Sequence, residues 1–323
     1  MSSAVIAKLM VIFVVIGIGW IAARTRALRG GAAALTMSNA AFLLFVPAML
    51  IRTMARVDLA ALPYPTLAVF FAPMVALLLV VYAVNRRVGG ADPAGPAVRA
   101  ISTTFGNGLQ LGLPVVTALF GEAGLSVHIA IISMHALTLM TLSTLLVEVD
   151  LARVRNGTGT GRGSIVATVA VTARRAVIHP VVLPVLLGLG INLLGVPIPG
   201  PVDEILSTLS QAVAPVCLIT IGLSLAHYGV KVVLRGAVTI AVGKLLIAPA
   251  AVLAVAYWGV GLHGIPLATI VMFAALPTGS NALLFAQRYR SHEAETTAAI
   301  MVSTVAFTAT APLWLLAATT LAP

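Results

Sequence analysis

The chain has 323 residues, of which 60% are hydrophobic and 9% charged, whereas a soluble domain carries roughly 25% charged residues, so lipid and not water is its main solvent. Its formal net charge of +10 would suggest a nucleic-acid partner in a soluble protein, but here no soluble stretch is left to carry such a surface and the bases gather in short loops, where they report topology. Cys217 is the only cysteine, which excludes an internal disulfide and a thiolate metal site; neither a metal nor a cofactor is expected.

Apolar stretches of about 20 residues, each able to cross a hydrocarbon core roughly 30 Å thick, recur along the chain. The first, Ala4 to Ala23, is longer than a signal-peptide core and lacks a small-residue cleavage site, so it reads as a retained span. Further spans are predicted near residues 33–53, 64–84, 98–120 and 124–148, then near 176–194, 202–226, 233–257, 264–287 and 295–320. Alternate loops then place Arg24, Arg26, Arg29, Arg86, Arg87, Arg99, Arg153, Arg155, Arg162, Arg174, Arg175, Lys231, Arg235, Arg288 and Arg290 on one side. The other side receives only Arg52 and Arg56. The base-rich side is cytoplasmic by the positive-inside rule, which predicts a multi-pass protein of the cell membrane with both termini outside.

Residues 150–175 form the longest loop. Its Asn156-Gly-Thr-Gly-Thr-Gly-Arg-Gly-Ser164 run has no preceding strand and no following Gly-Lys-Ser/Thr, so it reads as a flexible linker and not a phosphate cradle. It divides the chain into a first repeat, 1–149, and a second, 176–323. An odd number of spans in each half makes the halves inverted relative to one another. Weak internal similarity supports the division: Asn39 to Pro47 has the spacing of Ser207 to Pro215, and Pro47-Ala-Met-Leu50 parallels Pro215-Val-Cys-Leu218.

In the fourth span, Gly106-Asn107-Gly108-Leu-Gln110-Leu-Gly112-Leu-Pro114, and in the matching ninth, Leu276-Pro277-Thr278-Gly279-Ser280-Asn281, helix breakers coincide with amide or hydroxyl side chains at mid-membrane depth. Both helices are expected to unwind there. Unwound backbone is tolerated in a membrane only where it is buried in protein or lines a cavity. A half-helix beginning at each proline would present N–H groups and the positive end of its dipole to that cavity, which suits an anion. The candidate substrate-binding residues are therefore Asn107, Gly108, Gln110, Pro114, Pro277, Thr278, Gly279, Ser280 and Asn281. The alternative is a pair of kinks with no ligand.

The run from Gly106 to Leu119 followed by Phe120-Gly121-Glu122, together with Leu276-Pro277-Thr278-Gly-Ser-Asn281-Ala-Leu-Leu-Phe-Ala286-Gln-Arg-Tyr289, resembles the paired crossover motifs of the auxin efflux carrier family. Pro47 and the stretch from Pro215 to Leu225 extend the resemblance over nearly the whole chain. The short central loop and the Pro-Thr-x-x-Asn-Ala form are similar to the bacterial branch, which includes malonate transporters. The resemblance implies an all-α membrane protein of about ten transmembrane helices in two inverted repeats of about five, with helices crossing at the prolines. It further implies a scaffold of spans 1, 2, 6 and 7 that forms a homodimer, and an elevator-type transport domain of spans 3–5 and 8–10. The family's crossover prolines carry over to Pro114 and Pro277 and its first asparagine to Asn107, whereas Asn281 matches only the bacterial form.

Of the ionisable residues within spans, three stand out as candidates. His128 and His135 are seven residues apart and share a helical face; histidine exchanges protons near neutral pH, so His135, with His128, is a candidate for proton coupling, the alternative being an interhelical hydrogen bond. Lys244, deep in its span, is a candidate counter-charge for the anion or a structural partner. Glu122 and Glu148 fall at span ends, and Gln211 is expected to bond between helices. The expected function is secondary transport of a small organic anion, a mono- or dicarboxylate such as malonate. A sodium-coupled symporter of the related bile-acid type is the nearest alternative, although neither crossover contains the carboxylate that sodium sites often use. A channel has no need of two discontinuous helices. A membrane-embedded enzyme would need clustered acids, histidines or a metal set, and the acids here are scattered.

Overall fold

The computed structural model describes residues 3–25, 28, 30–56, 63–88, 90, 92–157, 182–228 and 234–320. The greater part of the 150–175 linker and residues 176–181 lie outside the described residues. Among the described residues all regular structure is helical, and the one strand-like feature is an isolated antiparallel bridge between Gly106 and Thr278.

Helix α1 covers Ser3–Arg24. Helices α2 (Gly30–Ala40) and α3 (Val46–Arg56) are joined by a π-helical turn at Ala41–Phe45. Helix α4 is Tyr64–Val88. Helix α5 (Gly95–Thr104) ends at the first break, and a π turn at Gly108–Gly112 leads into α6 (Leu113–His135). A second π turn, Ala136–Met140, joins α6 to α7 (Thr141–Gly157). Gly121 interrupts α6 with φ 59 and ψ −150, a region open essentially to glycine alone, so the chain is kinked between the spans predicted at 98–120 and 124–148.

In the second half α8 is Val182–Leu193, α9 Gly200–Gln211 and α10 Val213–Tyr228. Helices α11 (Leu234–Val242) and α12 (Ala248–Leu253) flank a π turn at Gly243–Ile247. Helices α13 (Gly264–Ala275) and α14 (Ser280–Tyr289) flank the second break, and α15 (Glu293–Thr320) closes the described chain. Among the described residues six helical stretches are long and apolar enough to cross a membrane. Large apolar side chains such as Trp258 and Leu313 stand 68% and 64% exposed, a surface suited to lipid. This is a polytopic integral membrane protein.

The π turns have a local cause. Proline lacks an N–H, and its ring collides with the carbonyl four residues earlier. Val46, Leu113 and Ala248, each immediately before a proline, donate their N–H to the carbonyl five residues back, on Ala41, Gly108 and Gly243. Each wider turn makes room for Pro47, Pro114 or Pro249 without breaking the helix. Where Pro249 leaves the Leu245 carbonyl without its helical donor, the Trp314 indole Nε1 donates to it at 2.7 Å.

Helix α1 packs along α10, and α3 along α8. Both contacts run through glycine: a Cβ on Gly222 would fall 2.1 Å from the Ile16 carbonyl oxygen, and one on Gly188 2.5 Å from that of Ile51. Small residues let membrane helices approach this closely where no hydrophobic force drives them together. Arg52 and Arg56, the pair that sequence reasoning puts on the base-poor side, share Asp203 at the start of α9, at 2.9 and 2.6 Å. At the opposite end Arg86 and Arg153 share Asp150, and Arg99 pairs with Glu295. Gln211 bonds Ser207 one turn back on its own helix at 3.3 Å; the expected bond between helices is not made, because its side chain faces outward.

Candidate functional site

The first break follows α5. Phe105 is extended (φ −78, ψ 108), and Asn107, at φ −79 and ψ 62, sits at the centre of an inverse γ-turn closed by Gly108 N–H on the Gly106 carbonyl at 2.9 Å. In the second break Leu276 has φ −57 and ψ 148, the extended form that a following proline imposes. The two segments lie antiparallel. Asn107 N–H donates to the Pro277 carbonyl at 2.9 Å, and Gly279 N–H to the Phe105 carbonyl at 2.8 Å. Each break thus satisfies backbone groups that the other exposes, which makes non-helical chain tolerable away from water. Gly279 is required by this approach, since a Cβ there would fall 2.9 Å from the Gly106 carbonyl oxygen.

Side chains fix the crossing from both sides. Thr278 Oγ1 donates to the Ser102 carbonyl at 2.9 Å, and Ser303 Oγ accepts from Thr278 N–H at 3.1 Å. The second half-helix, α14, starts at Ser280, and the first helical run restarts at Gly108; neither start has a side-chain cap. Pro277 lies in its break, but Pro114 does not, being six residues past Gly108 and accommodated by the π turn. Neither half-helix therefore begins at its proline: the second starts three residues past Pro277, and the first restarts six residues before Pro114. The side chains of Gln110 and Pro114 lie outside the described residues.

A cavity of about 70 Å³ opens against the crossing. Its polar wall is made by Asn107, Gly108, Gly279, Ser280 and Asn281, and its apolar wall includes Met49 from α3 and Val213 from α10. Thr278 and Pro277 brace the crossing from outside the cavity. Cys217 Sγ lies 3.9 Å from Asn281 Oδ1, so the cysteine is a neighbour of the site as well as a small buried filler. Met49 and Cys217 hold the same place in the parallel runs Pro47-Ala-Met-Leu50 and Pro215-Val-Cys-Leu218, whereas Val213 carries no sequence signal beyond its nearness to Pro215.

The two histidines diverge in role. His128 is fully buried, and its Nε2 is 2.9 Å from the Gly108 carbonyl; a carbonyl accepts only, so Nε2 carries the proton and the ring braces the π turn. His135 lines the cavity. Its ring centroid lies 4.2 Å from that of Phe105, tilted against it, and 5.0 Å from that of Phe273, edge to face. It is 4% exposed, and its Nε2 has no hydrogen-bond partner among the described residues. A buried polar atom in that state is costly and calls for a ligand or water.

Lys244 lies on the other side of the crossing. It is 0% exposed and donates from Nζ to the Ala274 carbonyl in the last turn of α13. It does not line the cavity, yet a Cβ built on Gly106 would be 3.5 Å from Nζ. Among the described residues no carboxylate lies within ion-pair distance of it.

Residues 4–315 match the family model described as Membrane transport protein. The chain belongs to this family. The membrane transport protein family is the one whose auxin efflux carriers the crossover motifs resemble. Among its relatives are an "Uncharacterized transporter" of Methanothermobacter thermautotrophicus, 24% identical over 86% of this chain and 87% of its own, and the "Uncharacterized transporter YfdV" of Escherichia coli, 28% identical over 70% and 68%. A protein of Rhizobium meliloti named "Putative malonate transporter" is 29% identical over 43% of each chain, so the alignment spans less than half of that relative. Membership makes the chain a membrane transporter.

Proposed function

We propose that this protein is a secondary carrier for a small organic anion, a mono- or dicarboxylate of which malonate is one, and that the crossing of the two breaks is its binding site. The observation that carries the reading is the cavity itself: uncapped helix starts, amides and the unpartnered His135 Nε2 converge on one buried space beside non-helical backbone. Such a space offers donors to a carboxylate and no competing carboxylate of its own. Its size, far below the roughly 300 Å³ of a drug-sized site, suits an anion of a few atoms.

In this reading the chain forms about ten spans in two inverted repeats, 1–149 and 176–323, with the crossings at matching places. Helices α1–α3 and α8–α10, tied by the glycine contacts, form the scaffold and the homodimer face. Helices α4–α7 and α11–α15 form the transport domain, which moves elevator-fashion and carries the crossing past Met49 and Val213. The base-rich end faces the cytoplasm of the cell, and proton coupling runs through His135, the titratable group on the cavity wall.

Reconstitution in liposomes tests the reading. Labelled malonate and a panel of other mono- and dicarboxylates should enter in a saturable, protein-dependent manner, and unlabelled anion inside should accelerate entry. Folded, inserted protein that moves none of them would overturn the substrate class.

A further inference from the structure

Lys244 needs a role that its single hydrogen bond does not supply. A charge in the middle of a bilayer is expensive and is kept where it meets another charge or a ligand. The elements packed around its π turn are α5, α11, α12, α13 and α15. Helices α12 and α13 hold no titratable side chain. Arg99 on α5 and Glu295 on α15 pair with each other at 3.1 Å, Glu293 begins α15, and Arg235 stands exposed near the start of α11. Among the described residues the ammonium therefore has no anionic side chain for a partner, while the proposed anion site lies just across Gly106.

Its position has a chemical meaning. The carbonyl end of a half-helix is the negative end of its dipole, and beside unwound backbone it is where a carrier would hold an inorganic coupling cation. We propose that Lys244 is a tethered substitute for that cation, and that its one positive charge travels with the crossing and neutralises one bound carboxylate. The proposal rests on the crossing being the anion site. It deepens that reading by naming the substrate class: a short monocarboxylate, with its charge on the wall of Asn107 and Asn281 and its hydrocarbon end against Met49 and Val213. The moving unit carries +1 when empty, 0 with a monoanion and −1 with a dianion.

Anion exchange in proteoliposomes under an imposed membrane potential reads those charges. Exchange uses only the loaded form, so exchange of pyruvate, a monoanion, should change by less than about 1.5-fold with potential, whereas exchange of malonate, a dianion at neutral pH, should change by about threefold or more. Lys244→Gln should make pyruvate exchange depend on potential by about threefold or more, and Lys244→Arg should keep it insensitive. Replacing sodium by choline should leave wild-type uptake unchanged. Potential-dependent pyruvate exchange in the wild type, malonate exchange without pyruvate exchange, a sodium requirement, or a Lys244→Gln protein that stays insensitive would each overturn the proposal and leave the carrier standing. Should Lys244→Gln fail to fold, the contrast between pyruvate and malonate in the wild type decides. Exchange of no anion would remove the carrier reading and this inference with it.

Discussion

The crossing and the base-rich end of the bundle bury polar groups by opposite means. At the base-rich end side chain pairs with side chain: Glu295 accepts from Arg99 at 3.1 Å and from His292 at 2.6 Å, and Asp150 accepts from Tyr82 at 2.6 Å and from Arg153 at 3.2 Å. A cleft of about 560 Å³ admits water there, so the charges are partly screened and their pairing costs little. Arg290 and His292 hold φ of 51 and 46 beside this cluster, while Ser291 between them donates to Asp92. At the crossing, by contrast, backbone pairs with backbone, amides and an imidazole line the space, and among the described residues Lys244 has no ion-pair partner. Far from water an ion pair must overcome the desolvation of both partners, whereas two exposed backbone segments relieve each other at no such cost. The difference bears on the proposed anion site: the paired end has its charged side chains matched already, whereas Lys244 at the crossing has no ion-pair partner among the described residues.

Breaking the crossing should have the largest effect. Gly279→Val places a branched side chain against the Gly106 carbonyl, where even a Cβ would fall at 2.9 Å; we expect uptake to fall by more than about 100-fold, with overpacking costing about 1–3 kcal/mol of stability. Uptake and circular dichroism on the same preparation check both. At the paired end Glu295→Gln leaves Arg99 without its carboxylate. Because Arg99 is 36% exposed, the loss should be about 1–2 kcal/mol, read as a lower Tm in detergent with anion affinity unchanged. Smaller again is Trp314→Phe, which keeps the ring but removes the donor to Leu245. About 1 kcal/mol of stability should be lost, again without a change in affinity; a Tm equal to wild type would show that the Leu245 carbonyl finds another donor.

Much of this organisation is legible in the sequence because hydrophobic length, glycine and proline act locally. The boundary at Gly121 and the two interrupted helices follow from such signals. Pro114 shows the limit. Its sequence context resembles that of Pro277, yet a π turn accommodates it, and the break falls instead at Phe105 to Asn107, where Asn107 finds the Pro277 carbonyl. That outcome depends on a partner more than 160 residues away in the chain. The same holds for the two histidines: a shared helical face is a matter of spacing, but which ring meets the Gly108 carbonyl and which meets the cavity is a matter of tertiary packing. Met49 and Val213, ordinary apolar residues in apolar helices, acquire meaning only from what they face.

The most direct measurement is equilibrium binding of labelled pyruvate and malonate to the purified protein, wild type against Asn107→Ala, with folding checked by circular dichroism. Loss of a hydrogen bond to a charged group, worth about 1.5–3 kcal/mol, should weaken binding by about 10- to 100-fold. A folded Asn107→Ala protein that binds as tightly as wild type would contradict the placement of the anion at the crossing.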